Sequence, residues 1–120
     1  MEDTLQETSI VDKVKMLGEL LFDHKGQDVI TLDLRKAGVW TDFFIIATVS
    51  SNTHMDGLDR HIKELCRDKE IEILRRSRKP ENMDDEWRII DLGTIVIHLM
   101  SSRARSFYDL ERLYSCFTTD

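Results

Sequence analysis

The stretch Glu86-Trp87-Arg88-Ile89-Ile90-Asp91-Leu92-Gly93-Thr94-Ile95-Val96-Ile97-His98-Leu99-Met100 decides the fold. Two apolar, β-branched runs meet at Leu92-Gly93. Trp87–Leu92 is long enough for one strand and Thr94–Met100 for the next. Gly93 takes up positive φ without steric cost, so it predicts a tight antiparallel turn. Successive side chains in a strand point to opposite faces. In the second run Ile95, Ile97 and Leu99 share one face, and Val96 and Met100 share the other, which is the pattern of a strand covered on both sides. In the first run, turning Ile90 and Leu92 inward puts Trp87, Ile89 and Asp91 together on the opposite face. A tryptophan and an isoleucine beside a carboxylate make either a second core layer or a docking surface.

The bulk composition narrows the class. A chain of 120 residues predicts one domain with a core that needs neither disulfides nor metals. Charged (33%) and apolar (41%) fractions are those of a soluble globular protein. Seventeen basic residues against 23 acidic ones give a net charge of −6. That excludes broad, sequence-independent nucleic-acid binding, which needs cations to neutralise phosphates, and it suits a basic protein partner. Cys66 and Cys116 have neither metal-ligand spacing nor the density of a disulfide scaffold, so they read as reduced thiols. No apolar run approaches the ~20 residues of a membrane span, and the acidic start is unlike a targeting peptide. The expectation is a cytoplasmic protein with no membrane contact.

Outward from the hairpin, residues 1–8 read as a flexible N-terminus and 9–117 as a single domain. Ser9 with Asp12 predicts a capped helix carrying Ile10, Val14, Leu17 and Leu21, closed at Lys25-Gly26. Asp28–Leu34 predicts a first strand, Arg35–Thr41 a loop with Gly38 and Trp40, and Asp42–Val49 a central strand. Ser50-Ser51-Asn52 supplies N-cap residues for a helix carrying Met55, Leu58, Ile62 and Leu65. Ile71–Leu74 predicts a short third strand, and Arg75–Asp85 a polar loop. After the hairpin, Ser106 with Asp109 predicts a last helix with Phe107, Leu110 and Tyr114 on one stripe. The order is α-β-β-α-β-β-β-α, an α/β (α+β) fold with a mixed five-stranded sheet flanked by helices.

Catalytic chemistry finds little support. The Val49–Asn52 junction has the form of a phosphate-binding turn, but it lacks glycine, and an N-cap explains it. Asp33 and Asp91 lie on separate strands without close acidic partners, and Asp84-Asp85-Glu86 sits in a loop. Paired acids for a magnesium ion are therefore missing. His24, His54, His61 and His98 show no zinc spacing. His98, on a strand apolar on both faces, reads as structural. Cys66 reads as a small core hydrophobe. The basic run Arg75-Arg76-Ser77-Arg78-Lys79 could touch rRNA locally or be a solvated loop. No cofactor, metal ligand or catalytic residue is expected.

Three segments, in this order and spacing, resemble one family. They are Asp42-Phe43-Phe44-Ile45-Ile46-Ala47-Thr48, then Trp87-Arg88-Ile89-Ile90-Asp91-Leu92-Gly93 with Val96 and His98, then Arg105-Ser106-Phe107-Tyr108-Asp109-Leu110-Glu111-Arg112-Leu113. The chain resembles the ribosomal silencing factor, or Iojap-related, family from about Ile10 to Tyr114. The resemblance implies a nucleotidyltransferase-like fold without catalytic acids. It also implies a translational repressor that binds large-subunit ribosomal protein fourteen on the intersubunit face, blocks joining of the small subunit and lowers translation when nutrients are scarce. By position, Trp87, Asp91, Gly93 and His98 match the central motif, and Arg105, Phe107, Tyr108, Leu110 and Glu111 the last. The sequence departs from the family pattern at Val49 for Gly, His54 for Gln, Thr94 for Asp, and Ser101–Arg103 for an acidic stretch.

Strand parity and resemblance together nominate Trp87, Ile89 and Tyr108 as partner contacts, with Asp91 and Glu111 opposite basic side chains. Gly93, His98 and Arg105 take structural or orienting roles. Two alternatives stand beside repression: a large-subunit assembly factor without anti-joining activity, and a nucleotide-binding enzyme acting through Ser50, Ser51 and scattered acids. A monomer and a homodimer are both compatible with an exposed Trp87 patch.

Overall fold

A computed structural model describes residues 2–74 and 86–114, with side chains from Ile10 onward. Arg75–Lys79 and Cys116 lie outside the described residues. The elements are α1 (Glu2–Asp23), β1 (Gln27–Asp33), β2 (Phe43–Val49), α2 (Asn52–Asp68), β3 (Trp87–Asp91), β4 (Ile95–Ser101), α3 (Ser102–Tyr108) and α4 (Leu110–Leu113).

The hairpin forms as its sequence requires. β3 and β4 are antiparallel, with Trp87 opposite Met100 and Asp91 opposite Val96. Gly93 has φ +92, and its N–H donates to Asp91 Oδ1 at 2.8 Å. β2 pairs in parallel with β4, and β1 antiparallel with β2. The sheet order among the described residues is β1-β2-β4-β3. Every residue of β2 is buried, as expected of a β-branched strand with partners on both edges.

Both faces of the sheet are covered. Phe43, Ile45 and Ala47 of β2, Ile95, Ile97 and Leu99 of β4, and Ile90 and Leu92 pack with Leu17 and Leu21 of α1 and Met55, Leu58, Ile62 and Cys66 of α2. The other face joins Leu32, Leu34, Phe44, Ile46, Val96 and Met100 to Ala104 of α3, with Trp87, Ile89, Leu110 and Tyr114 packed against them. Full burial of such side chains contributes roughly 1.5–3 kcal/mol each, so the two clusters fix strand register on both faces.

Four expectations need correction. The helix α1 runs through Ser9, which is therefore not its cap. The sheet has four described strands rather than five, because Ile71–Leu74 does not become one. Ile71 is used up closing α2: Glu70 turns left-handed (φ 58), and Ile71 N–H donates to Cys66 O at 2.7 Å. Ile71 and Ile73 then pack on the first cluster, and Leu74 reaches β3 through one bond, its N–H to Asp91 O at 2.8 Å. The last helix is two short helices. Ser101, not Ser106, caps α3, its Oγ accepting from Ala104 N–H at 3.0 Å. Asp109, left-handed with φ 50, breaks α3 from α4 and makes no capping side-chain bond. Phe107 consequently points outward (78% exposed) instead of sharing a stripe with Leu110 and Tyr114.

Two further contacts tie the elements together. Ser50 N–H donates to His54 Nδ1 at 3.0 Å, so His54 Nε2 carries the proton and donates to His24 O at 2.9 Å. That ties the end of α1 to the start of α2. The Thr94 carbonyl accepts the N–H groups of both Asp42 and Phe43, joining the hairpin turn to the start of β2.

Candidate docking surface

The surface is built where β3 begins and α3 ends. Glu86, just before β3, accepts from Ser101 Oγ at 3.0 Å and forms an ion pair with Arg103. Those partners, Arg103 first, hold its carboxyl below the usual carboxylate range. The pair fastens the first turn of α3 to the hairpin. Ala104, one turn before Tyr108, packs inward, which turns the Tyr108 ring over Trp87 with centroids 4.8 Å apart. Phe107 stands edge-on to Tyr108 at 4.9 Å. Glu86, Arg103, Ala104, Phe107 and Tyr108 line a groove of about 310 Å³. Past the Asp109 joint, Leu113 is 68% exposed and completes a second depression with Phe107, Tyr108 and Arg112.

Trp87 is half-buried. One side of its ring packs on the second core cluster, and its Nε1–H donates to His98 Nδ1 at 3.1 Å. Trp87 and Ile89 thus belong to the second core layer, and Trp87 also touches the groove through the Tyr108 ring. His98 is 5% exposed. Burial lowers its pKa to about 4, so the ring is neutral. An indole nitrogen only donates, which places the His98 proton on Nε2. That atom has no hydrogen-bond partner among the described residues, and the ring sits T-shaped to Phe44 at 4.5 Å.

The other nominated residues are more dispersed. Asp91 gives Oδ1 to the Gly93 turn. Gly93 is confined by Leu74, whose Cδ1 would lie 3.1 Å from an added Cβ. Glu111 is held bidentate by Arg105, with Nε to Oε1 at 2.9 Å and Nη2 to Oε2 at 3.0 Å. Arg105 is buried and also donates to Thr48 Oγ1 at 2.9 Å and Gln27 O at 3.4 Å. Trp87 and Tyr108 are brought together; Ile89 and Asp91 follow along β3, and Glu111 lies beyond the joint. Phe107 and Leu113 were missed as exposed groups. Taking Ser101 as the cap finds Phe107, because it sets Tyr108 one turn above Ala104 and leaves Phe107 outside. Trp40 is also exposed (71%), in the loop before β2, at the sheet end away from Trp87.

No group of three histidine, cysteine or acidic residues among those described could hold a metal. His24 and His61 instead stack at 3.7 Å. Burial pushes the Cys66 thiol pKa up, the opposite of what a reactive thiolate needs. No helix among the described residues is long and apolar enough to cross a membrane.

The remaining feature is an aromatic rim on a covered sheet, and comparison with known proteins gives it a context. The family described as ribosomal silencing factor during starvation matches residues 7–120. The chain belongs to that family.

Ribosomal silencing factor RsfS of Treponema pallidum (strain Nichols) is 36% identical over 98 residues, covering 82% of this chain and 86% of that protein. The mouse mitochondrial assembly of ribosomal large subunit protein 1 is 28% identical over 114 residues, covering 89% of this chain and 47% of that protein. A crystal structure of a Chromobacterium violaceum protein superimposes with a TM-score of 0.75 at 28% identity, covering 87% of this chain and 85% of that one. The mixed α+β architecture of this chain is therefore shared with solved structures. Its hairpin, Trp87 and the α3–α4 pair all fall within the residues matched by the family.

Proposed function

We propose that this chain is a non-enzymatic cytoplasmic repressor. It docks through the Trp87–Tyr108–Phe107 rim on the intersubunit face of the large ribosomal subunit and sterically blocks joining of the small subunit, lowering translation under nutrient limitation. The observation that carries this reading is the aromatic rim in which exposed Phe107 packs on exposed Tyr108 and Tyr108 on half-buried Trp87, since aromatic residues dominate binding hot spots. The family description and the names of the relatives direct it to the ribosome. Large-subunit ribosomal protein fourteen, implied by the sequence resemblance, is the proposed contact. Trp87 and Tyr108 are the anchors and Ile89 extends the apolar side. Asp91 and Glu111 add negative potential for a basic partner, in keeping with the net charge of −6. Arg75–Lys79 is a proposed local contact to rRNA. The nucleotidyltransferase-like fold serves here as scaffold alone.

Assembly of large subunits without anti-joining activity is the second reading, favoured by the printed name of the mouse relative. The nucleotide-enzyme alternative is weakened by a specific observation. At the Ser50–Asn52 turn, the N–H of Ser50 is engaged by His54 Nδ1 and that of His54 by Ser51 Oγ, so these donors are not free for a phosphate. Millimolar magnesium nucleotide therefore leaves the melting temperature unchanged, because only a ligand of the native state raises it.

Cosedimentation with purified large subunits tests the docking reading. The wild type pellets with them and Trp87→Ala pellets far less. Equal recovery of a folded Trp87→Ala variant would refute the assigned surface.

A further inference from the structure

The joint at Asp109 separates two helices that both carry the exposed apolar rim. Phe107 and Tyr108 precede it and Leu113 follows it. Asp109 holds a left-handed conformation (φ 50) that most side chains avoid, and it makes no capping side-chain bond. Its backbone N–H still donates to Arg105 O at 2.9 Å, which closes α3, and no bond of its side chain to α4 fixes the angle between the two helices. A conformation of this kind persists when its surroundings over-determine it.

One side chain spans the joint. Arg105 on α3 grips Glu111 on α4 through two parallel bonds, and its third nitrogen reaches Thr48 Oγ1 at the end of β2 and the Gln27 carbonyl at the start of β1. The Arg105 side chain is only 10% exposed. A buried cation must keep its partners, since losing one leaves charge uncompensated. The planar guanidinium can serve the carboxylate and Thr48 at once, which the point charge of a lysine cannot.

We propose that Arg105 is the positioning residue of the docking surface: its brace to Glu111, anchored on Thr48 and Gln27, sets the α3–α4 angle and presents Phe107, Tyr108 and Leu113 preformed to the partner. This rests on the docking reading above. The brace orients α4 without being its only attachment, because Leu110 and Tyr114 pack on the second core cluster independently. Losing the brace therefore misaligns the rim and leaves the domain folded.

The test uses the full chain carrying Trp40→Phe, so that Trp87 is the sole tryptophan. Arg105→Lys and Glu111→Gln are compared with this parent for association and dissociation rates on immobilised large subunits, at a temperature where far-UV circular dichroism finds all three folded. Both variants bind roughly tenfold more weakly, the effect of re-ordering one or two large side chains on binding. The loss falls on the association rate, because fewer molecules are in the competent state. Trp87 emission in the free protein shifts as Tyr108 moves. Losing the Glu111 charge alone also slows encounter with a basic partner, so unchanged association of a folded Arg105→Lys variant, or unchanged Trp87 emission in both variants, would overturn the proposal. If Arg105→Lys fails to fold, Trp87 emission of Glu111→Gln carries the test. If the parent itself does not bind large subunits, the docking reading falls, and Trp87 emission alone decides the brace.

Discussion

Trp87 Nε1–H donates to His98 Nδ1 across the β3–β4 hairpin at 3.1 Å. An added proton has to enter at Nδ1, where it would break that bond and place a charge in the core. Burial accordingly lowers the His98 pKa to about 4 from an ordinary 6.5. Between those values the unfolded chain binds a proton that the folded chain refuses. The neutral His98 contribution is thus complete above pH 6.5 and is lost as the pH falls toward 4, at about 1.4 kcal/mol per unit.

Urea denaturation at pH 7 and at pH 4.5 checks this. Wild-type stability falls by roughly 2–3 kcal/mol more over that interval than the stability of His98→Gln, which stays neutral throughout. Parallel losses in the two proteins would mean that His98 titrates normally.

Phe107 and Trp87 separate docking from packing. Phe107→Ser removes an exposed ring, so stability stays within about 0.5 kcal/mol while binding to large subunits weakens by roughly tenfold or more. Trp87→Ala weakens binding too, but it also costs about 2–3 kcal/mol, less than a fully buried tryptophan, because one side of the ring is core. Thermal unfolding and cosedimentation on the same samples give both quantities. A Phe107→Ser variant that binds like the wild type would move the contact surface elsewhere.

Two backbone positions have opposite requirements. Glu70 sits at φ 58 where it closes α2, so Glu70→Gly relieves left-handed strain and stabilises by roughly 0.5–1 kcal/mol. Gly93 sits at φ +92 against Leu74, so Gly93→Ala destabilises by about 1–3 kcal/mol. Denaturant midpoints read both changes, and the same sign at both sites would contradict these assignments.

The hairpin, β1, β2, α2 and the two-faced cover of β4 were legible because alternation and helical spacing report burial directly. Even the facing of Trp87 and Ile89, opposite Ile90 and Leu92, followed from parity. What escaped were features set by single hydrogen bonds. Ile71–Leu74 has strand composition, yet the closure of α2 at Glu70 takes its first residue. Ser106 and Asp109 have capping chemistry, yet Ser101 starts the helix earlier and Asp109 becomes the joint. That error in phase hid Phe107, the most exposed ring of the rim. The Arg105–Glu111 pair spans six residues and a helix break, a separation that no helical spacing rule picks out.

The most direct test of the central claim is a joining assay with purified large and small subunits followed by sucrose-gradient separation. Saturating protein lowers the fraction of joined ribosomes, and Trp87→Ala restores it. An unchanged joined fraction, with the protein bound to every large subunit, would contradict steric repression.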